Sequence, residues 1–221
     1  MSKVLIIGAH GKIAMLAATR LQAAGHHVAG AIRKPEQSDD VRAAGAEPVL
    51  ADVENLSVDE LVDVVGGHDV VVWAAGAGGG SPERTYAVDR DAAIRTMDAA
   101  SRAEVPHFVI VSYFGAGPDH GVPEDNDFYA YAEAKTAADL HLADSDLAWT
   151  ILRPSSLTDE DGTGGIEVGD DAGTVKASQV ARATVADVIA AVVGAPQATA
   201  HLTLCFNDGD RQVAEALGVT R

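Results

Sequence analysis

Apolar blocks of two kinds take turns along this chain. The runs Val4 to Ile7, His27 to Ile32, Pro48 to Ala51, Val70 to Ala74, Phe108 to Val111 and Ala148 to Leu152 are short, nearly continuous and rich in Val and Ile. Strands buried on both faces of a parallel sheet have this character. Between them lie longer stretches whose apolar residues recur at helical spacing, as Ile13, Leu16, Ala17 and Leu21 do within Lys12 to Ala24. The same spacing predicts helices over Asp39 to Ala44, Val58 to Val65, Val88 to Ala103, Tyr129 to Asp144, Ala177 to Val193 and Gln212 to Leu217, with a short strand from Leu202 to Phe206. Regular alternation of this sort demands right-handed crossovers. The expected fold is α/β: a single doubly wound Rossmann domain over residues 1–221, with a mostly parallel sheet and helices on both faces.

Two segments break the rhythm. Gly115 to Asp127 and Ser155 to Gly173 are too polar and too rich in Gly and Pro for regular structure, and each follows a strand at its carboxyl end. Ligands bind at that edge of an open α/β sheet. The loops 113–127 and 155–175 are therefore expected to wall a pocket for a small-molecule substrate.

Composition narrows the range of partners. Lys and Arg number 16 against 33 Asp and Glu, a formal charge of -17, which opposes both nucleic acid and an anionic membrane surface. The single cysteine, Cys205, rules out an intrachain disulfide and lies in an apolar run that reads as core. The opening apolar run is too short for a signal or membrane helix, so a cytoplasmic location is expected. None of the eight histidines has metal-ligand spacing, and no metal is expected.

The most informative motif is Gly8-x-x-Gly11-x-x-Ala14, placed between the first strand and the first helix. A tight turn there brings backbone amides and a helix N-terminus to a pyrophosphate, so Gly8, His10, Gly11, Lys12 and Ile13 are candidate cofactor contacts. Near the end of the second strand, an NAD site usually carries a carboxylate for the ribose hydroxyls. Arg33 and Lys34 stand there instead. Cations at that place would pair with a 2'-phosphate, which makes NADP(H) the expected cofactor and NAD(H) the alternative; the competing reading is a basic pair at an exposed strand end. Asp52 and Val53 follow the third strand, where they would either meet adenine or form a turn cap. Ala74, Ala75 and Gly76 leave the fourth strand with little side-chain bulk, allowing close backbone approach to the cofactor.

Tyr131 and Lys135 are one helical turn apart on one face, and Ser112 ends the fifth strand. A nearby ammonium favours phenolate, so Lys135 is expected to lower the Tyr131 pKa and equip it for proton exchange with a carbonyl or alcohol oxygen, while Ser112 polarises that oxygen. Taken singly, the three read as a half-buried helix residue, a solvated charge and a strand-end cap.

With these residues in hand, the chain resembles the short-chain dehydrogenase/reductase superfamily. More closely it is similar to that superfamily's small atypical NAD(P)H-binding branch, related to biliverdin and flavin reductases and to epimerase/dehydratase-like proteins. The glycine loop, Asp52-Val53, Ala74-Ala75-Gly76, Val88-Asp89, Ser112, Tyr131 with Lys135, and Ile151-Leu152-Arg153-Pro154 carry the resemblance. It implies catalytic roles for Ser112, Tyr131 and Lys135, ribose binding by Lys135, and a place for Pro154, Ser155 and Ser156 beside the nicotinamide. It further implies a monomer or homodimer. Three functions follow as expectations: an NADP-dependent oxidoreductase acting on a small carbonyl, quinone or flavin-like acceptor; a non-catalytic NADP(H)-binding redox sensor; and an NAD(P)-dependent epimerase/dehydratase. The last is disfavoured by the short segment after Pro154.

Overall fold

The computed structural model describes residues 1–79, 81–169 and 173–219. Its strands are β1 Lys3–Ile7, β2 His27–Ile32, β3 Glu47–Leu50, β4 Val70–Trp73, β5 His107–Val111, β6 Trp149–Pro154, β7 Ser156–Thr158, β8 Gly165–Gly169, β9 Gln179–Ala181, β10 Leu202–Asp208 and β11 Arg211–Gln212. Its α-helices are α1 Lys12–Ala23, α2 Ser38–Ala43, α3 Val58–Val65, α4 Pro82–Thr85, α5 Ala93–Arg102, α6 Tyr129–Ala143, α7 Arg182–Gly194 and α8 Val213–Ala216.

The main sheet has nine strands in the order β11-β8-β10-β6-β5-β4-β1-β2-β3. Pairings from β10 through β3 are parallel, while β8 runs antiparallel to β10 and β11. Because successive strand side chains point to opposite faces, β1 divides its residues between two cores. Val4 and Ile6 join the core beneath α1 and α7, together with Leu21, Val188 and Phe206. Leu5 and Ile7 join the core beneath α3, α5 and α6, with Trp73, Met97 and Leu142. This is the mixed α/β, helix-flanked architecture that the alternation of blocks predicts.

Three segments depart from expectation. Residues 179–181 run extended rather than helical and pair with β7. Here the carboxylate of Asp208 accepts the Ala181 N–H at 2.8 Å and also takes the Thr184 hydroxyl, so α7 begins at Arg182. The expected irregular loop after Ser155 contains β7 and β8; of the range 155–175, residues 170–172 lie outside those described. Pairing of β8 with β10 needs a glycine at 209, since a Cβ there would sit 2.4 Å from the Glu167 nitrogen. Finally, the helix expected over Val88 to Ala103 is preceded by α4 and opens with widened π turns over Tyr86–Ala92 before becoming α5. Among the described residues no helix is long and apolar enough to cross a membrane.

Candidate functional site

The strand order reverses at β1, which has β4 on one side and β2 on the other. Chains leaving the carboxyl ends of two such strands diverge to opposite faces and open a crevice. Gly8 follows β1 with φ +80°, and a Cβ on it would lie 2.6 Å from the Ala75 Cα, so the loops after β1 and β4 nearly touch. A side chain here would fill the crevice floor. Above it is a cleft of about 540 Å³. Gly11, the N-cap of α1, provides no side-chain cap, and the first turn of that helix carries no acid. The helix therefore presents uncapped amides and a positive dipole end, suited to an anion.

Nine of the sequence-predicted residues line this cleft: Gly8, His10, Gly11, Arg33, Asp52, Val53, Ala74, Ala75 and Gly76. Asp52 also accepts a 2.8 Å bond from the Asn55 amide, which organises the turn after β3. His10 bonds Asp40 at 2.9 Å. The others are placed differently. Lys12 reaches Asp159 at 2.8 Å, Ile13 packs on the core, and Lys34 leads into the short turn Pro35–Gln37 outside the cleft lining. Pro154 is buried at the end of β6, Ser155 donates to Asn207 at 2.6 Å, and Ser156 is exposed at the start of β7.

Sequence reasoning missed Arg84, Glu54 and Gln37 in the cleft wall. Arg84 stands on α4 and donates to the Ala77 carbonyl; its guanidinium is 3.6 Å from the Glu54 carboxylate, which is also 3.9 Å from Arg33. The glycine run preceding Arg84 was the only local signal for it.

Behind the glycine-rich wall lies a buried set of charges. Asp89, on the π turns, accepts the Ala77 N–H at 2.9 Å. Lys135 is buried on α6, where Asp89 and Asp139 support its charge, and it donates to the Val111 carbonyl at 2.7 Å. Asp139, one turn further on, accepts Ser112 Oγ at 2.8 Å and Arg153 Nε at 3.0 Å through the same oxygen. Burial pushes both carboxyls up, with Lys135 opposing the rise at Asp89 and Arg153 then Lys135 opposing it at Asp139. Burial likewise draws the Lys135 ammonium down, against those two carboxylates. Alternating charges compensate desolvation in this way.

Tyr131 shares α6 with Lys135, but its expected electrostatic setting is reversed. Burial comes first, followed by the Asp89 and Asp139 carboxylates, and the phenol is held well above its ordinary value. Among the described residues no hydrogen bond joins Tyr131 to Lys135 or Ser112. Lys135 spends its charge on two carboxylates instead. Tyr131 packs in an aromatic group with Tyr113 and Phe128, ring centroids 5.6 and 5.1 Å away.

Fold and cleft together define a Rossmann-type dinucleotide-binding protein. Residues 8–196 match the family described as NAD(P)H-binding, and the chain belongs to that family. A Bacillus subtilis relative named an uncharacterized sugar epimerase is 33% identical over 220 residues, which cover 97% of this chain and 98% of that one. A solved structure from Bacillus halodurans, provisionally named an NAD-dependent epimerase/dehydratase, is 30% identical with a TM-score of 0.91 over 100% of both chains. A Lactococcus lactis structure described as an oxidoreductase is 27% identical, with a TM-score of 0.85 over 98% of this chain and 95% of that one.

Proposed function

We propose that this chain is an NADP(H)-dependent oxidoreductase that moves hydride between nicotinamide and a small acceptor, with a quinone or flavin-like ring favoured over a simple carbonyl. The observation that carries the cofactor half is the cleft itself: a side-chain-free cradle at Gly8 and Ala75, an uncapped helix end, and two guanidinium groups at one end. The bound cofactor supplies hydride; the protein's part is to bind it, orient it and manage the accompanying proton. Family membership and the oxidoreductase relative support this class.

The acceptor half rests on the proton inventory. Ser112 donates its hydroxyl proton to Asp139, which leaves it no proton to offer an acceptor. Burial and the Asp89 and Asp139 carboxylates hold the Tyr131 phenol above its ordinary value, against release of its proton. Delivery of a proton to a ketone needs a group matched to the working pH, whereas a quinone or flavin takes hydride first and draws its proton from water. The epimerase names of two relatives are weighed against the chain after Pro154, which builds β7 to β11 and two helices that close the sheet.

The test is oxidation of NADPH, followed by loss of its absorbance, with quinone, flavin and aldehyde acceptors in the parent and in Tyr131→Phe. Quinone or flavin turnover is expected to stay within about threefold in the variant, because loss of a general acid costs on the order of a hundredfold or more. A larger loss with every acceptor returns Tyr131 to the chemistry. No oxidation with any acceptor, combined with unequal affinity for oxidised and reduced cofactor, points to the sensor.

A further inference from the structure

Glu54 stands between two arginines of the cleft lining. Its carboxylate is 3.9 Å from Arg33 and 3.6 Å from Arg84, and all three residues line the cofactor cleft. The two arginines approach from different directions: Arg33 follows β2, and Arg84 stands on α4 beyond the glycine-rich wall. Two guanidinium groups converging on one point repel each other unless an anion lies between them. In the protein alone, that anion is Glu54.

The position of Glu54 is built, not incidental. Arg95, on α5, donates to the carbonyls of Leu56, Val53 and Glu54 itself at 3.2, 3.4 and 2.9 Å. Asn55 is tied to Asp52 within the same turn. The backbone that carries Glu54 is thereby fixed to the helix layer, and its side chain alone is left to rotate.

We infer that Glu54 is a specificity-determining residue: an internal stand-in for the 2'-phosphate that the phosphate must displace from Arg33 and Arg84. This rests on the NADP(H) reading of the cleft and adds Arg84 as the second phosphate ligand. A phosphate offers more charge and more acceptor oxygens than a carboxylate, so it wins the arginines. The displaced carboxylate then stands close to the phosphate and weakens its binding. A cofactor without that phosphate leaves the Glu54 pairs in place and gains nothing from their removal. Glu54 thus lowers the affinity for NADPH while leaving that for NADH untouched.

The experiment is calorimetric titration of the parent, Glu54→Gln and Arg84→Gln with NADPH and with NADH, alongside thermal unfolding to confirm that each variant folds. Glu54→Gln is expected to bind NADPH roughly fivefold tighter, the size of one partly exposed ion pair, with NADH affinity unchanged. Arg84→Gln is expected to weaken NADPH by a similar factor and NADH little. A parent that prefers NADPH, with a Glu54→Gln variant whose preference is no stronger, overturns the stand-in and leaves the NADP(H) reading intact. A parent with no preference, whose Glu54→Gln variant acquires one for NADPH, overturns the NADP(H) reading of the native protein and keeps Glu54 as the discriminating residue. Selective weakening of NADH in Glu54→Gln would mean that the carboxylate holds the ribose hydroxyls, the opposite assignment.

Discussion

Ser112 and Asp139 are joined by a 2.8 Å hydrogen bond in which the serine hydroxyl donates to Oδ2 of the buried carboxylate. The same oxygen takes Arg153 Nε at 3.0 Å, while Oδ1 is buried without a hydrogen-bond partner. One side chain from α6 thus fixes a residue at the end of β5 and another on β6. Replacing the carboxylate by an amide removes its charge from the Arg153 pair and buries an NH2 group where Oδ1 has no hydrogen-bond partner. Asp139→Asn is expected to lower the unfolding free energy by about 2–4 kcal/mol, and Ser112→Ala by about 1 kcal/mol. Urea denaturation checks both; an Asp139→Asn variant as stable as the parent would contradict the network.

Stability should depend on pH through His107. Its Nε2 lies 2.9 Å from Thr150 Oγ1, and that hydroxyl gives its own proton to the Thr199 carbonyl, so His107 must be the donor in its neutral form. Burial, with His201 second, holds the imidazole down to about 4, from an ordinary value of 6.5. Between those values the unfolded chain binds a proton that the folded chain refuses. The contribution is therefore complete above pH 6.5 and declines as pH falls toward 4. In His107→Gln, whose amide can still donate to Thr150, this part of the decline should be missing when unfolding is followed across that window.

Gly8→Ala tests the floor of the crevice. The added methyl would meet Ala75 backbone at 2.6 Å, from a residue held at φ +80°. Both effects are unfavourable for an L side chain, and a loss of about 1–3 kcal/mol of stability is expected, with cofactor affinity reduced by more than tenfold. Calorimetric titration and thermal unfolding read the two separately. A variant that keeps full affinity would show that the cofactor does not approach this turn.

Arg95 is not part of the cleft lining yet should matter for binding. It secures three carbonyls of the turn that brings Asp52 and Val53 to the cleft lining. Arg95→Ala is expected to weaken nucleotide affinity by roughly fivefold to tenfold while leaving the rate at saturation nearly unchanged, since the loss falls on uniform binding. A fall in kcat with unchanged KM would contradict this.

How much of this was legible in the chain follows from what kind of signal each residue leaves. The strands around Val4 to Ile7 and Val70 to Ala74 announce themselves because both of their faces are buried, and the glycine loop because a tight turn at a pyrophosphate tolerates few residues. Arg33 was readable as a departure from the carboxylate usual at its place. Arg84, Glu54 and Arg95 leave no such pattern: they meet across turns and helices whose relative positions depend on packing. Asp139 and Arg153 did carry a faint signal, as charges inside the apolar stretches Ala137 to Leu142 and Trp149 to Pro154. These two, with Asp89, are the partners of Ser112 and Lys135 that spacing along the chain could not supply. Segments 156–158 and 165–169 were hidden because their pairing is with distant strands, not with neighbours in sequence.

The most direct test of the central claim is a titration of the purified chain with NADPH and NADH, repeated in Arg33→Ala. Binding in the cleft predicts a preference for NADPH of about tenfold or more in the parent, as expected for a guanidinium on a phosphate, and loss of most of that preference in the variant. Failure of the parent to bind either nucleotide, or a preference that survives intact without Arg33, would contradict it.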